Sequence, residues 1–111
     1  MELTEIKKSK FYSELYKVET KEDCETIIQN LKKEHKKATH ICYAYILSNT
    51  AKFCDDREPS GTAGRPILNV LEKKNLTNVM VVVIRYFGGI KLGAGGLVRA
   101  YTKSASNAIK D

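Results

Sequence analysis

The chain has no tryptophan, two prolines, three cysteines and two histidines in 111 residues. Cys24, Cys42 and Cys54 are odd in number and widely spaced, and none forms a C-x-x-C pair, so neither a disulfide framework nor a metal site is expected. Their apolar surroundings point to buried thiols. Long hydrophobic runs are also missing. The longest, Val79 to Ile84, is far too short to cross a bilayer. Met1-Glu2-Leu3-Thr4-Glu5 lacks the apolar core of a secretory signal, so a cytoplasmic location with no membrane partner is expected. Acids thin out along the chain: beyond Glu58 only Glu72 and Asp111 oppose Arg65, Arg85, Arg99 and the later lysines. What remains is one ordinary globular domain, residues 1–111, long enough to bury roughly 60 to 70% of its unfolded surface. Its net charge of +6 favours a polyanionic partner. Arginine suits fixed, bidentate contact with phosphate or carboxylate, which places the binding face in the second half.

Hydrophobic patterning supplies the elements. Lys10 to Val18 is rich in aromatic and β-branched residues but carries Lys and Glu, which predicts an edge strand. Thr20 to Asp23 resembles a capping box with Asp in place of Glu. It opens a helix to about His35 whose apolar face is Cys24, Ile27, Ile28 and Leu31. Lys32, Lys33, Lys36 and Lys37 then form a solvated face suited to a helix C-terminus, with contact to nucleic-acid phosphates as the alternative. Ala38 to Leu47 predicts a strand and Ala51 to Cys54 a short hairpin partner. Val79 to Ile84 predicts a central strand buried on both faces, and Leu97 the start of a last helix rich in small residues. The expectation is an α/β (α+β) two-layer sandwich in which a four-stranded mixed, mostly antiparallel sheet packs against helices.

Two loops carry the chemistry. Asp55 to Pro66 holds three carboxylates, two prolines and two glycines, and Ser60 or Thr62 can cap a helix with Pro66 in its first turn. Asp55, Asp56 and Glu58 can do acid–base work or hold a metal; the plainer reading is that they cap the helix and pair with Arg57, Arg65 or later arginines. His40 has no second His or Cys at ligand spacing and reads as a hydrogen-bonded structural imidazole before a catalytic one. The second loop, Gly88 to Gly96, follows the central strand. It fails the P-loop pattern, because Ala94 and Gly95 stand where Lys and Ser or Thr are needed. It also fails the dinucleotide fingerprint, because Val98 replaces the third glycine. A generic anion-binding nest survives, built from Gly93, Gly95 and Gly96 with Arg65, Arg85, Lys91 and Arg99 as flanking cations.

The two loops together, Asp55-Asp56-Arg57-Glu58-Pro59-Ser60-Gly61-Thr62-Ala63-Gly64-Arg65-Pro66 and Val82 to Tyr101, resemble the signature of the IMPACT/YigZ family, and Ala38-Thr39-His40 fits the preceding strand. The resemblance implies a fold like the second domain of the fifth small-subunit ribosomal protein. It implies a cleft lined by His40, Asp55, Asp56, Glu58, Ser60 and Thr62. Bacterial relatives carry a ferredoxin-like domain after this one and eukaryotic relatives a separate domain before it, so the chain is expected to be the shared domain alone. Eukaryotic members act in translational control, and for a bacterial-type member the resemblance implies association with nucleic acid or the ribosome. One departure is Arg57, where the family usually has glycine. The implied function is a non-catalytic binding module for RNA or ribosome-associated partners, with no cofactor. Two alternatives stay open: docking of an acidic protein, and an enzyme acting on a phosphorylated small molecule or nucleotide.

Overall fold

In the computed structural model, which describes residues 1–110, the chain runs β1 (Glu2–Ile6), β2 (Ser9–Lys17), α1 (Lys21–Glu34), β3 (His40–Ile46), β4 (Ala51–Cys54), α2 (Gly64–Lys73), β5 (Val79–Tyr86) and α3 (Gly93–Ala108). The strands form one antiparallel sheet in the order β1-β2-β5-β3-β4. Val79 through Arg85 are all buried, as a strand covered on both sides requires. Val79, Val81 and Val83 pack with Phe11, Cys42 and Ala44 beneath α2 and α3, whereas Met80, Val82 and Ile84 pack with Cys24, Ile28 and Leu31 of α1. Each Val, Leu, Ile, Phe or Met side chain among these contributes about 1.5–3 kcal/mol when fully buried. No helix among the described residues is long and apolar enough to cross a membrane.

The connections explain why both faces are covered. β2 and β3 run parallel with β5 between them, and α1 crosses from one to the other. β4 and β5 run parallel with β3 between them, and α2 makes that crossing in the opposite direction. A two-fold axis normal to the sheet relates the two crossings, so equal handedness would place both helices on one face. They lie on opposite faces, so one crossing has the rare left-handed sense.

The expected α+β sandwich is present, with differences that have local causes. The sheet has five strands, all antiparallel, where four in a mixed sheet were expected, and it carries helices on both faces instead of one. The additional strand is β1, joined to β2 by a two-residue turn at Lys7 and Lys8, both with φ > 0 (47° and 68°). That geometry normally selects Asn-Gly, so two lysines conceal the hairpin. β2 is consequently interior, not at the edge. α3 begins at Gly93, a full turn before Leu97, because the helix absorbs three glycines of low intrinsic propensity. The capping box of α1 is present, with Thr20 and Asp23 each bonded to the other's backbone N–H.

Candidate functional site: a cleft between an acidic and a glycine-rich loop

Strand register sets the floor of the cleft. Phe11 on β2, Arg85 on β5 and His40 on β3 lie side by side across the end of the sheet, facing α3. Arg85 is 5% exposed, a burial that a guanidinium tolerates only with partners. Its Nη1 donates to Glu58 Oε2 at 2.8 Å, and Nε and Nη2 donate to Ser9 Oγ at 3.4 and 3.3 Å. Its Cζ also lies over the rings of Phe11 and Phe87, at 5.6 and 5.4 Å from their centroids. Tyr101 of α3 donates to the same Glu58 oxygen at 2.6 Å. Burial first, then the neighbouring Cys42 and Glu58, hold the Tyr101 hydroxyl well above its usual range, so it stays a donor. His40 Nδ1 donates to the Asp56 carbonyl at 2.8 Å, and Nε2 stands 3.3 Å from Glu58 Oε1. Both ring nitrogens are therefore engaged.

The acidic loop is held by its own carboxylates. Asp55 Oδ1 accepts from the N–H groups of Ala63 and Gly64, and Oδ2 from that of Gly61. It thereby caps α2, as the plainer reading of the carboxylates expected, in place of Ser60 or Thr62; the N-cap residue Ala63 has only a methyl group and cannot do so. Thr62 Oγ1 donates to the Pro59 carbonyl, and Ser60 is exposed. Asp56 Oδ2 accepts from the Ile41 N–H at 2.6 Å, tying the loop to β3. Asp56 and Arg57 both have φ > 0, at 40° and 68°. Arg57 thus adopts the left-handed conformation for which glycine is the natural residue, and the turn keeps its shape. Its Nη2 donates to the Thr39 carbonyl at 3.1 Å.

The glycine-rich loop is built the opposite way. Thr39 Oγ1 accepts from the Phe87 N–H, and Gly88 packs directly on the β1–β2 turn, where a Cβ would sit 2.0 Å from the Lys8 carbonyl oxygen. Past this anchor the side chains are exposed: Phe87 by 47%, with Ile90, Lys91 and Val98 beyond it. No side chain caps α3, so the N–H groups of its first turn remain free for an anion. Between the two loops lies a cleft of about 420 Å³ whose walls include Pro59, Phe87, Leu92 and Leu97.

Of the sequence candidates, His40, Glu58, Arg85, Lys91 and Gly93 line this cleft. Asp55 and Asp56 stand behind its wall with their carboxylates bonded to backbone. Gly95, Gly96 and Arg99 belong to the first two turns of α3, with the Arg99 guanidinium lying over Gly95. Arg65 sits apart, over the Phe53 ring and 3.5 Å from Glu72. Sequence reasoning missed Ser9, a buried hydroxyl whose role depends on a partner 76 residues away. It also missed the clustering of Lys7, Lys8, Arg57 and Phe87, for which the turn at Lys7 and Lys8 was the concealed signal.

Fold and cleft together define a small α+β domain that presents a cationic, aromatic-rimmed pocket at one end of its sheet. The Impact N-terminal domain model matches residues 7–109, and the chain belongs to the IMPACT family. IMPACT family member YvyE of Bacillus subtilis (strain 168) is 51% identical over 107 residues, which cover 94% of this chain and 49% of that protein. The crystal structure of a hypothetical protein aligns with a TM-score of 0.91 at 39% identity, covering 96% of this chain and 54% of that one. The two-domain translational regulator Yih1 aligns with a TM-score of 0.56 at 22% identity, covering 96% and 45%, a likeness of fold alone. The chain thus spans about half the length of these relatives.

Proposed function

We propose that the domain is a non-catalytic binding module, linked to regulation of translation, that contacts RNA through the end of the sheet bearing the cleft. One observation carries this reading. Lys7, Lys8, Lys36, Lys37, Arg57 and Lys91 are all exposed at that end around an exposed Phe87, while Asp55, Asp56 and Glu58 are bonded internally. Cations interleaved with an aromatic ring suit a single strand, the cations tracking phosphates and the ring stacking on a base. Glu5 is an exposed acid there, opposite Lys10 across the hairpin. His40 and Glu58 are engaged with each other and with fixed partners, which favours binding over acid–base chemistry. Membership of the IMPACT family, whose eukaryotic members act in translational control, supports the assignment to translation.

The test is the salt dependence of affinity for single-stranded RNA. Replacing Lys36, Lys37 and Lys91 together by alanine should reduce the slope of log K against log salt by about two units, at about 0.7 per lost contact. An unchanged slope would sink the proposal. The exposed apolar side chains of Phe87, Ile90 and Val98 favour a second reading, in which an acidic protein docks on the same face. Capture of a defined protein that survives nuclease treatment, with no binding to RNA, would select it.

A further inference from the structure

We infer that the three basic residues held in a left-handed backbone conformation beside the cleft, Lys7, Lys8 and Arg57, are dedicated contacts to the phosphates of an RNA backbone, kept there although they weaken the fold. The inference rests on the RNA reading above and adds which cations of the basic end grip the strand.

Among the described residues, six other than glycine have φ > 0: Lys7, Lys8, Asp56, Arg57, Asn75 and Asn78. Asparagine and aspartate tolerate this region, because a short polar side chain can bond to the local backbone. Lysine and arginine gain no such compensation. Asn75 and Asn78 precede β5 at the far end of the sheet, and there the residue suits the backbone. At the cleft end, three of the four positions hold a residue that disfavours its own conformation, and all three are basic. A cation needed only for solubility has unstrained positions to occupy, as Lys32 and Lys33 do in the last turn of α1. Strain confined to one end of the molecule and to one sign of charge points to a partner of the opposite sign.

The strained residues belong to one cluster. Gly88 packs on the Lys8 backbone, the neighbouring Phe87 N–H donates to Thr39 Oγ1, and Arg57 Nη2 donates to the Thr39 carbonyl at 3.1 Å. Arg57 Nε lies 3.7 Å from Asp56 Oδ1. Two of the five guanidinium donors are thereby directed, and the side chain is 77% exposed, which leaves donors for a ligand. Lys7 and Lys8 are exposed on a turn held by the pairing of β1 with β2 and of β2 with β5. A strand arriving here meets cations whose backbone is already ordered, which lowers the entropy lost on binding. Two compact ammonium charges beside one arginine fork suit the oxygens of successive phosphates.

Salt titrations of a labelled oligouridylate, paired with thermal melts, test this with variants that should fold better than the parent. Lys7→Asn with Lys8→Gly supplies the residues that the turn selects and should raise the melting temperature by about 4–8 °C. The same variant should lower the slope of log K against log salt by about 1.4 units, at about 0.7 for each of two lost contacts. Arg57→Gly should move both quantities in the same directions and by less. Lys73→Ala with Lys74→Ala removes an equal charge at the far end of the sheet and should leave the slope unchanged. A slope lowered equally by both double variants would overturn the inference, because overall charge and not the turn would be responsible. An unchanged slope in the turn variant, with the slope of the Lys36, Lys37 and Lys91 variant reduced, would overturn it and leave the RNA reading standing. A melting temperature that does not rise would also overturn it, because the lysines would then carry no strain. Absence of RNA binding by the parent chain would overturn both readings.

Discussion

The Asp55–Ala63 and Phe87–Leu92 loops face each other across one cleft and use their polar groups in opposite ways. In the first, every carboxylate reaches inward, to backbone N–H groups or to Arg85, and the loop is a bonded strut. In the second, the backbone is anchored at Phe87 and Gly88 while the side chains beyond reach solvent. The difference separates residues that build the cleft from residues that meet a partner, although both loops are dense in groups that can do chemistry.

Substitutions can break this division. The largest effect is expected at Arg85→Met, which leaves Glu58 buried without its cation and should cost about 3–5 kcal/mol in urea denaturation. Parent-like stability would mean that the buried pair is not what holds the loops together. Asp55→Ala removes the acceptor for three backbone N–H groups and should cost about 1–3 kcal/mol, with Asp55→Asn recovering part of the loss. Arg57→Gly should act in the other direction. Relief of the left-handed conformation is worth about 1 kcal/mol, less a weak exposed bond to Thr39, so a raised melting temperature is expected. The smallest effect on stability, within about 0.5 kcal/mol, is expected for Lys91→Ala, whose consequence should appear in the salt dependence of RNA binding instead. A large loss of stability there would blur the contrast between the two loops.

Sequence alone disclosed the central strand, the three helices and the two loops, because each has a short-range signature. Val79–Ile84 is continuously apolar, and Thr20 and Asp23 stand at capping distance. β1 escaped because its alternation is weak and its turn lacks Gly or Asn. The start of α3 escaped because glycine is read as a helix breaker, while here it lets Gly96 pass close to Leu92. The site was harder. An arginine near the end of a buried strand is equally consistent with an anion ligand and an internal ion pair, and only the proximity of Glu58, 27 residues earlier, decides where its charge goes. For the carboxylates, pairing and capping were anticipated, but which residue capped α2 depended on the path of the loop in space.

The place of β5 in the sheet has a consequence for how the chain acquires its shape during synthesis. Until Val79–Tyr86 has been made, β1–β2 and β3–β4 are two separate hairpins, each marginal in water, with the inner edges of β2 and β3 unpaired. β5 then enters between them and joins edges that are remote in the chain, the kind of pairing that slows folding. A nascent chain stalled before Val79 therefore exposes two strand edges able to pair with a neighbouring chain, and is expected to aggregate where the finished domain does not.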